Sequence, residues 1–356
     1  MKKRTGVLLS LALAAGTLLS ACGKDEGEKS TSGGKKDAFK VAMVTDTGGV
    51  DDKSFNQSAW EGLQKFGKDN DLKKGTDFKY LQSSSASDYA PNLNSLVREK
   101  FDLVYGIGFL MAQDIQKVAK QQPNGHLALV DMVVPEKNVA SITFKENEGS
   151  FLVGLIAGMQ TKTNKVGFVG GVDSELIKKF ENGFKAGVKT ANPKAEIFVQ
   201  YAGDFNKAEK GQAIANTFYG KGADIIYHAA GGTGKGVFTE AKNRAKNGEK
   251  VWVIGVDRDQ HEEGMPEDVT LTSMVKRVDK AVEQVSKDTM DGKFPGGKVV
   301  EFGLNEDGVG IAPHKDNVTK EALAKVDEYK KKIQDGSLMV PKTDKEFKKF
   351  EADMKK

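Results

Sequence analysis

The chain has 356 residues, of which 38% are hydrophobic and 29% charged, and its formal net charge is +4. A chain of this length is too long to fold around one ordinary hydrophobic core, which predicts two domains of roughly 150 residues each. Three positive charges lie in residues 2–4, so the net charge of the remainder is 4 − 3, or +1. Elsewhere basic and acidic residues are interleaved, which gives no reason to expect a nucleic-acid partner.

The N-terminus has the pattern of an export signal. Basic residues 2–4 precede a short apolar run over 7–19, which is too short for a comfortable membrane span. The run ends in Leu19-Ser20-Ala21-Cys22, which contains the only cysteine and resembles a bacterial lipobox. We therefore expect a signal peptide over 1–21 and acylation of Cys22, which anchors the protein to the extracytoplasmic face of the cell membrane. A plain secretory peptide with an incidental cysteine is the alternative.

Residues 22–38 are polar and rich in glycine and serine, which predicts a flexible tether. From Phe39 onward, short apolar runs alternate with amphipathic segments of helical period. In the first half the predicted strands are 40–45, 77–81, 103–106, 127–130 and 139–144. The predicted helices between them are 58–70, 89–100 and 112–121.

The second half repeats this rhythm after a junction near 145–149. Its predicted strands are 165–170, 196–201, 225–229, 251–256 and 271–274, and its predicted helices are 149–160, 174–191, 207–220, 236–247, 277–292 and 319–334. Such alternation is typical of right-handed βαβ units in parallel sheets, so the expected fold class is α/β. Thr343 and Glu346 resemble a capping box that opens a last charged helix, expected to be the least ordered.

Polar and aromatic residues lie just past several predicted strands. In open α/β sheets, ligands bind beyond the carboxyl ends of the strands. Carboxylates accept hydrogen bonds from hydroxyl groups and aromatic rings stack on flat heterocycles, so such a cleft suits an uncharged ligand with both features and repels a phosphate. The loop that contains Asp46 and Asn56 has an equally open alternative. It can be an ordinary turn in which these two side chains hydrogen-bond to local backbone groups and contact no ligand. The candidate residues are Asp46, Phe55, Asn56, Asp131, Phe205, Asp257 and Lys276.

The glycine-rich stretch 231–237 is not a nucleotide-binding loop. Gly236 stands where a P-loop needs Ser or Thr after Lys235, and Ala229 stands where it needs its first glycine. Two interpretations of this stretch remain open. It can be a glycine turn at a helix N-terminus whose backbone approaches a ligand, or a turn that contacts no ligand.

The sequence has no motif for a metal, a cofactor or catalysis. The four histidines, His126, His228, His261 and His314, include no pair three or four residues apart. No nucleophile elbow and no Cys/His dyad occur, so we expect a protein that is not an enzyme. Because carboxylates are abundant, their number alone does not exclude the pair of acidic residues that a glycosidase requires.

Five segments, together with the lipobox, carry a resemblance that covers almost the whole chain. They are DDKSFN at 51–56, EGSFLVG at 148–154, AGGTG at 230–234, GVDRDQ at 255–260 and TSMVK at 272–276. The chain resembles the basic membrane protein (Bmp/Med) family of lipoproteins. The resemblance implies a type I periplasmic-binding-protein fold, with two Rossmann-like parallel-sheet lobes and a hinge. It also implies capture of nucleosides, purine nucleosides above all, for an ABC importer.

The resemblance assigns a role to each candidate residue. Phe55 and Phe205 are expected to stack on the two faces of the base, and Asp131, with Asn56 nearby, is expected to hydrogen-bond to the edge of the base. Asp257 and Lys276 hold the ribose, Gly232 presents its backbone, and Asp46 also contacts the ligand. The implied partners are the permease and ATPase subunits and the bilayer, reached through acylated Cys22; we expect a monomer without a cofactor.

We expect the N-terminal lobe to comprise residues 39–146 and about 275–340, and the C-terminal lobe to comprise residues 147–274. A charged tail is expected over 341–356. Three other functions stay open: a binding protein for a sugar or signalling molecule, a surface protein that acts through host contacts, and an enzyme that cleaves a nucleoside.

Overall fold

Two six-stranded sheets form the framework of residues 38–354, which are the residues that this computed structural model describes. These residues belong to one compact unit. The predicted signal peptide, the lipobox with Cys22 and most of the tether lie outside the described residues. Within residues 38–354, no helix has both the length and the apolar character needed to cross a bilayer.

The described residues contain twelve strands, and eight of them are buried at every position or at all but one, as is usual for sheets covered on both faces. They are β1 (Val41–Val44), β2 (Phe78–Leu81), β3 (Leu103–Ile107), β4 (Leu127–Val130), β5 (Val139–Phe144), β6 (Lys165–Gly170), β7 (Glu196–Tyr201), β8 (Ile225–Ala229), β9 (Trp252–Asp257), β10 (Thr270–Lys276), β11 (Val299–Phe302) and β12 (Val309–Ile311).

Helices follow most of the strands, and several present apolar residues to the sheets at helical spacing. They are α1 (Phe55–Asp69), α2 (Tyr89–Arg98), α3 (Ala112–Gln121), α4 (Glu146–Gln160), α5 (Glu175–Ala191), α6 (Ala208–Gly220), α7 (Gly234–Lys246), α8 (Val278–Met290), α9 (Lys320–Gln334) and α10 (Asp344–Asp353). Short 3₁₀ turns occupy Ala86–Asp88, Phe109–Met111, Gly231–Thr233 and His261–Gly264.

The two sheets have the same strand order. The first runs β11-β5-β4-β3-β1-β2 and the second β12-β10-β9-β8-β6-β7, and every pairing is parallel except that of β12 with β10. The order reverses beside β1 in one sheet and beside β6 in the other, which is the switch point where doubly wound folds bind ligands. The predicted α/β class, with one parallel sheet in each lobe, is confirmed.

The chain crosses between the sheets three times, after β5, after β10 and after β11. The predicted lobe boundaries are wrong at the last crossing, because 275–340 does not lie wholly in the N-terminal lobe. There α8 packs on α1, and β11 pairs with β5. In contrast, β12 occupies the free edge of β10, and α9 packs on α4 of the C-terminal lobe. Both β11 and β12 are short edge strands, too brief to give an alternating pattern in the sequence.

The charged C-terminal segment forms a helix on the C-terminal lobe. The predicted capping box is present, since the Thr343 hydroxyl accepts from the Glu346 amide and the Glu346 carboxylate accepts from the Thr343 amide. Phe347 is buried against α5, and the Lys185 ammonium lies 4.4 Å from the centre of its ring. Phe350 also packs against the core, and the Asn182 side chain on α5 donates to Asp344 at 3.0 Å. This segment was expected to be the least ordered; instead, several contacts dock it on the lobe.

The lobes touch each other directly across the cleft. The Arg258 guanidinium donates two hydrogen bonds, of 2.9 and 2.7 Å, to the Glu61 carboxylate on α1. The Gln260 side chain donates to the Lys53 carbonyl at 2.8 Å, and the Asn206 side chain donates to the Thr47 carbonyl at 3.0 Å. These bonds hold the two lobes in a closed arrangement.

We predict that Glu61→Gln shifts the protein towards an open arrangement. The substitution removes the charge that the bidentate arginine bridge requires, and a partly exposed pair of this kind contributes about 0.2–1 kcal/mol, or up to about fivefold in the equilibrium. The distance between one spin label on each lobe, measured by electron resonance, reports the populations. Lys65→Gln is the matched control, because Lys65 pairs with Glu283 within the N-terminal lobe. Equal distance distributions for both variants would contradict the prediction.

Candidate functional site

A cavity lies between the lobes, at the carboxyl ends of strands from both sheets. About 520 Å³ of space within and at the mouth of this cavity is free of atoms, a volume that includes open solvent. Gly232 is not part of its lining; Ala230 and Gly231 line the cavity, and Gly232 is packed against the Phe205 carbonyl and Asn206. The other seven candidate residues line it: Asp46, Phe55, Asn56, Asp131, Phe205, Asp257 and Lys276.

Asp131 and Asp257 occupy equivalent positions in the two lobes. Asp131 follows β4 and Asp257 ends β9, and these strands hold the same place in the two sheet orders. Both residues have left-handed backbones, with φ of 77° and 64°. Non-glycine residues rarely adopt this conformation, and it clusters at functional sites. Each lobe therefore bends its backbone at one strand end and so brings a carboxylate to the cavity.

The Asp257 carboxylate is buried and bonded to the opposite lobe. The Ser54 hydroxyl, from the loop before α1, donates to its Oδ2. Burial raises the pKa of Asp257 to about 7, while the Lys276 charge and the Ser54 hydrogen bond hold it down. Asp257 therefore titrates near neutral pH in the ligand-free protein.

Lys276 is a buried cation between the lobes, with a side chain only 2% exposed. Its ammonium donates to Asp131 Oδ2 at 2.6 Å and lies 3.6 Å from Glu146 Oε1. Burial lowers the pKa of Lys276, but Asp131, Glu146 and Asp257 raise it more, so its pKa lies above the usual value. Lys179 donates to Glu146 Oε2 at 3.0 Å and so neutralises the second carboxylate.

Two buried oxygens of this network have no hydrogen-bond partner among the described residues. One is Glu146 Oε1, which lies 3.6 Å from the Lys276 ammonium and belongs to a residue that does not line the cavity. The other is Asp131 Oδ1. A buried unpaired carboxylate oxygen is costly unless a ligand or water completes it. Because Asp131 lines the cavity, this atom is an acceptor available to a bound molecule.

The loop before α1 holds a second acidic group. Asp52 accepts from the Ser54, Asn56 and Gln57 amides and so fixes the start of the helix. The Asn56 side chain donates to both Asp46 and Asp52, at 2.7 and 3.0 Å, which fixes the orientation of its amide. Burial raises the pKa of Asp46 to about 6, against hydrogen bonds from Gly48 and Asn56 that lower it.

Aromatic rings from both lobes line the cavity. Phe55 comes from α1, and its ring centre lies 4.9 Å from the Lys276 ammonium. Phe205 follows β7 and meets the edge of Phe109, with ring centroids 6.2 Å apart. A side chain at residue 171 would lie 2.2 Å from the Phe205 ring, so only glycine admits the ring there.

Sequence reasoning missed Asp52, Phe109, Phe180 and Glu146 as members or supports of the site. Phe109 and Asp52 belong to loops just past predicted strands, so the rule applied to Asp46 would have found them. Glu146 lies two residues past the predicted strand 139–144, so the same rule reaches it. Phe180 lies inside the predicted helix 174–191, and only the packing of α5 brings it to Lys276. The described residues that line the cavity include no histidine and no cysteine.

Comparison with known proteins identifies the family. The family model of the PnrA-like ABC transporter substrate-binding proteins, Bmp, matches residues 39–344. The chain is 45% identical over 352 residues to the ABC transporter nucleoside-binding protein BmpA of Lactococcus lactis, which covers 96% of this chain and 99% of that protein. It is 56% identical over 354 residues to the CD4+ T-cell-stimulating antigen of Listeria monocytogenes, with the same coverage.

Solved structures agree with the fold. An ABC transporter solute-binding protein of Aeropyrum pernix superposes with a TM-score of 0.77 at 26% identity, covering 87% of this chain and 96% of that one. The predicted periplasmic-binding-protein fold is thereby confirmed, as is the resemblance to the basic membrane proteins. The chain belongs to the Bmp family of PnrA-like ABC transporter substrate-binding proteins, and it is accordingly an extracytoplasmic binding protein and not an enzyme.

Proposed function

We propose that this protein captures a nucleoside, and preferentially a purine nucleoside, in the cavity between its lobes and delivers it to an ABC permease. The observation that carries the proposal is the pairing of aromatic rings from both lobes with the buried carboxylates Asp131 and Asp257. Flat heterocycles stack on such rings, and vicinal hydroxyls donate to carboxylates. The nucleoside-binding relative of Lactococcus lactis supports the same ligand class.

Each end of a nucleoside has suitable partners. Phe55 and Phe205 are proposed to enclose the base, with Asp131 Oδ1 accepting from an N–H on its edge and Asn56 nearby. Asp257 is proposed to accept from the ribose hydroxyls in place of Ser54, with Lys276 donating beside it. Gly232 supports the turn that carries Gly231 to the cavity, and Asp46 closes the far side.

The charges of the site favour a nucleoside over a nucleotide. Asp46, Asp52, Asp131 and Asp257 lie on or beside the cavity, and Lys276 is the one basic residue among its described lining. That lysine is already paired with Asp131. A phosphate would enter an acidic, partly desolvated space without a free cation, which is strongly unfavourable.

The proposal extends to delivery at the membrane. Acylation at Cys22 would hold a monomeric receptor beside the permease and ATPase subunits while the body stays in the aqueous phase. No cofactor is required, because binding uses only groups of the chain and the ligand.

A thermal-shift screen of ligand-stripped protein starting at Lys36 tests the ligand class. Nucleosides at about 100 times the dissociation constant should add about 2.7 kcal/mol of stability. Nucleotides, free sugars and polyamines should give little or no shift. A shift with sugars alone would support a sugar-binding function, and no shift with any nucleoside would refute the proposal.

Phe205→Ala should weaken nucleoside binding by about 5- to 150-fold, since stacking of one base on a ring is worth about 1–3 kcal/mol. Calorimetric titration measures the change. Phe294→Ala is the matched control, because Phe294 is similarly half-buried and stacks on His126 away from the cavity. Equal affinities for the two variants would remove Phe205 from the site.

Affinity should fall as the pH drops from 8 to 6. With a pKa of about 7, Asp257 gains a proton in the empty site over this interval, whereas ribose hydroxyls bind best to the ionised carboxylate. Binding therefore lowers the pKa of Asp257 and releases a proton. Calorimetry in buffers of different ionisation enthalpy measures the release, and Asp257→Asn should abolish it. Proton uptake by the wild-type protein on binding would contradict the assignment.

The membrane anchor has its own test. Cells fed an alkyne analogue of palmitate should label the wild-type protein but not Cys22→Ala, which should appear in the soluble fraction. Label on the variant would contradict acylation at Cys22.

A further inference from the structure

Two histidines that are distant in sequence lie face to face in the C-terminal lobe. The rings of His261 and His314 have centroids 3.4 Å apart and planes inclined by 26°. His261 opens the 3₁₀ turn after β9, and His314 follows β12. Neither residue lines the cavity between the lobes, so ligand binding gives no reason for their approach.

A single carboxylate positions both histidines. Asp259 Oδ1 accepts from the His261 amide at 3.2 Å, and its Oδ2 accepts from the His314 amide at 3.0 Å. The Thr272 hydroxyl also donates to the His314 carbonyl at 3.3 Å. Hydrogen bonds therefore fix the backbone on either side of the ring pair.

A third donor lies beside this pair. Asp268 Oδ1 is 3.9 Å from His261 Nδ1, and the Asn317 side chain donates to the same oxygen at 2.9 Å. His261 Nδ1 is itself buried and has no hydrogen-bond partner among the described residues. Donor atoms of all three side chains lie within 4.8 Å of one another. The cluster thus has a nitrogen without a partner and a carboxylate already oriented by a neighbour.

We propose that His261, His314 and Asp268 form a binding site for a divalent transition-metal ion of the zinc type. Tetrahedral zinc has bonds of about 2.1 Å, which separates its ligand atoms by about 3.4 Å. His261 Nδ1 and Asp268 Oδ1 need to approach by about half an ångström to meet this value. The stacked rings need to rotate so that one nitrogen lone pair of each points to the ion.

The donor set selects the class of ion. Two imidazoles and one carboxylate suit Zn²⁺, Ni²⁺ and Cu²⁺, whereas Mg²⁺ and Ca²⁺ require sites built from oxygen. Asp268 is half exposed, so solvent reaches the ion and supplies the remaining ligand. The bound ion joins the turn after β9 to the segment that leads into α9, and it stabilises the C-terminal lobe independently of the cleft.

Titration of ZnCl₂ into untagged protein starting at Lys36 tests the site, since this form contains the complete described unit and lacks Cys22. We expect one ion per chain, and a loss of affinity of at least about tenfold for His261→Ala and for His314→Ala. His126→Ala, which removes a histidine that stacks on Phe294, is the matched control and should bind zinc normally.

Two further measurements separate loss of a ligand from loss of fold. The melting temperatures of all variants in EDTA should agree, and added zinc should raise that of the wild type and of His126→Ala only. Co²⁺ should give the intense visible bands of a tetrahedral site in the wild-type protein and not in the His261 and His314 variants. Unchanged zinc affinity in both of these variants, or no saturable binding by the wild type, would overturn the proposal.

Discussion

The buried Lys276 ammonium links the two lobes next to the points where the chain crosses between them. It bonds Asp131 of the N-terminal lobe and lies beside Glu146 at the start of α4, and the rings of Phe55, Phe144 and Phe180 surround it. A buried charge is tolerated only with such partners, and removal of one member of a buried pair typically costs about 3–5 kcal/mol. Lys276 ends β10 and Glu146 opens α4, so the ion network lies at two of the three crossings between the lobes.

The two lobes present corresponding groups to the cleft because they share one topology. Asp131 and Asp257 stand at the same sheet position, and each is held in a left-handed backbone conformation. Their surroundings differ, however. Asp131 is paired with Lys276, whereas Asp257 is bonded to the neutral Ser54 hydroxyl and has a pKa near 7. One architectural position thus supplies an ion-paired carboxylate in one lobe and a carboxylate of raised pKa in the other.

Much of this could be predicted from the sequence, because strand ends are local features. The apolar runs at 127–130 and 139–144 match β4 and β5 residue for residue, and Asp131 follows directly. Long-range pairing could not be predicted. The edge strands β11 and β12 lack a sequence pattern, and Phe180 reaches Lys276 only through the packing of α5. Histidine spacing likewise excludes a local metal motif but cannot reveal that Asp259 brings His261 and His314 together.

The three crossings between the sheets have a mechanical consequence. Backbone hydrogen bonds from Lys145 to Phe302 and from Arg277 to Gly308 tie the crossings to one another, so twisting and sliding between the lobes are restricted more than opening by rotation. The direct bonds between the lobes, such as that of Arg258 with Glu61, already favour the closed angle. A molecule that touches only one wall adds nothing to them, whereas one that spans both walls favours the closed angle further. A membrane partner that recognises the relative orientation of the two lobes can thereby distinguish a loaded receptor from an empty one without touching the cargo.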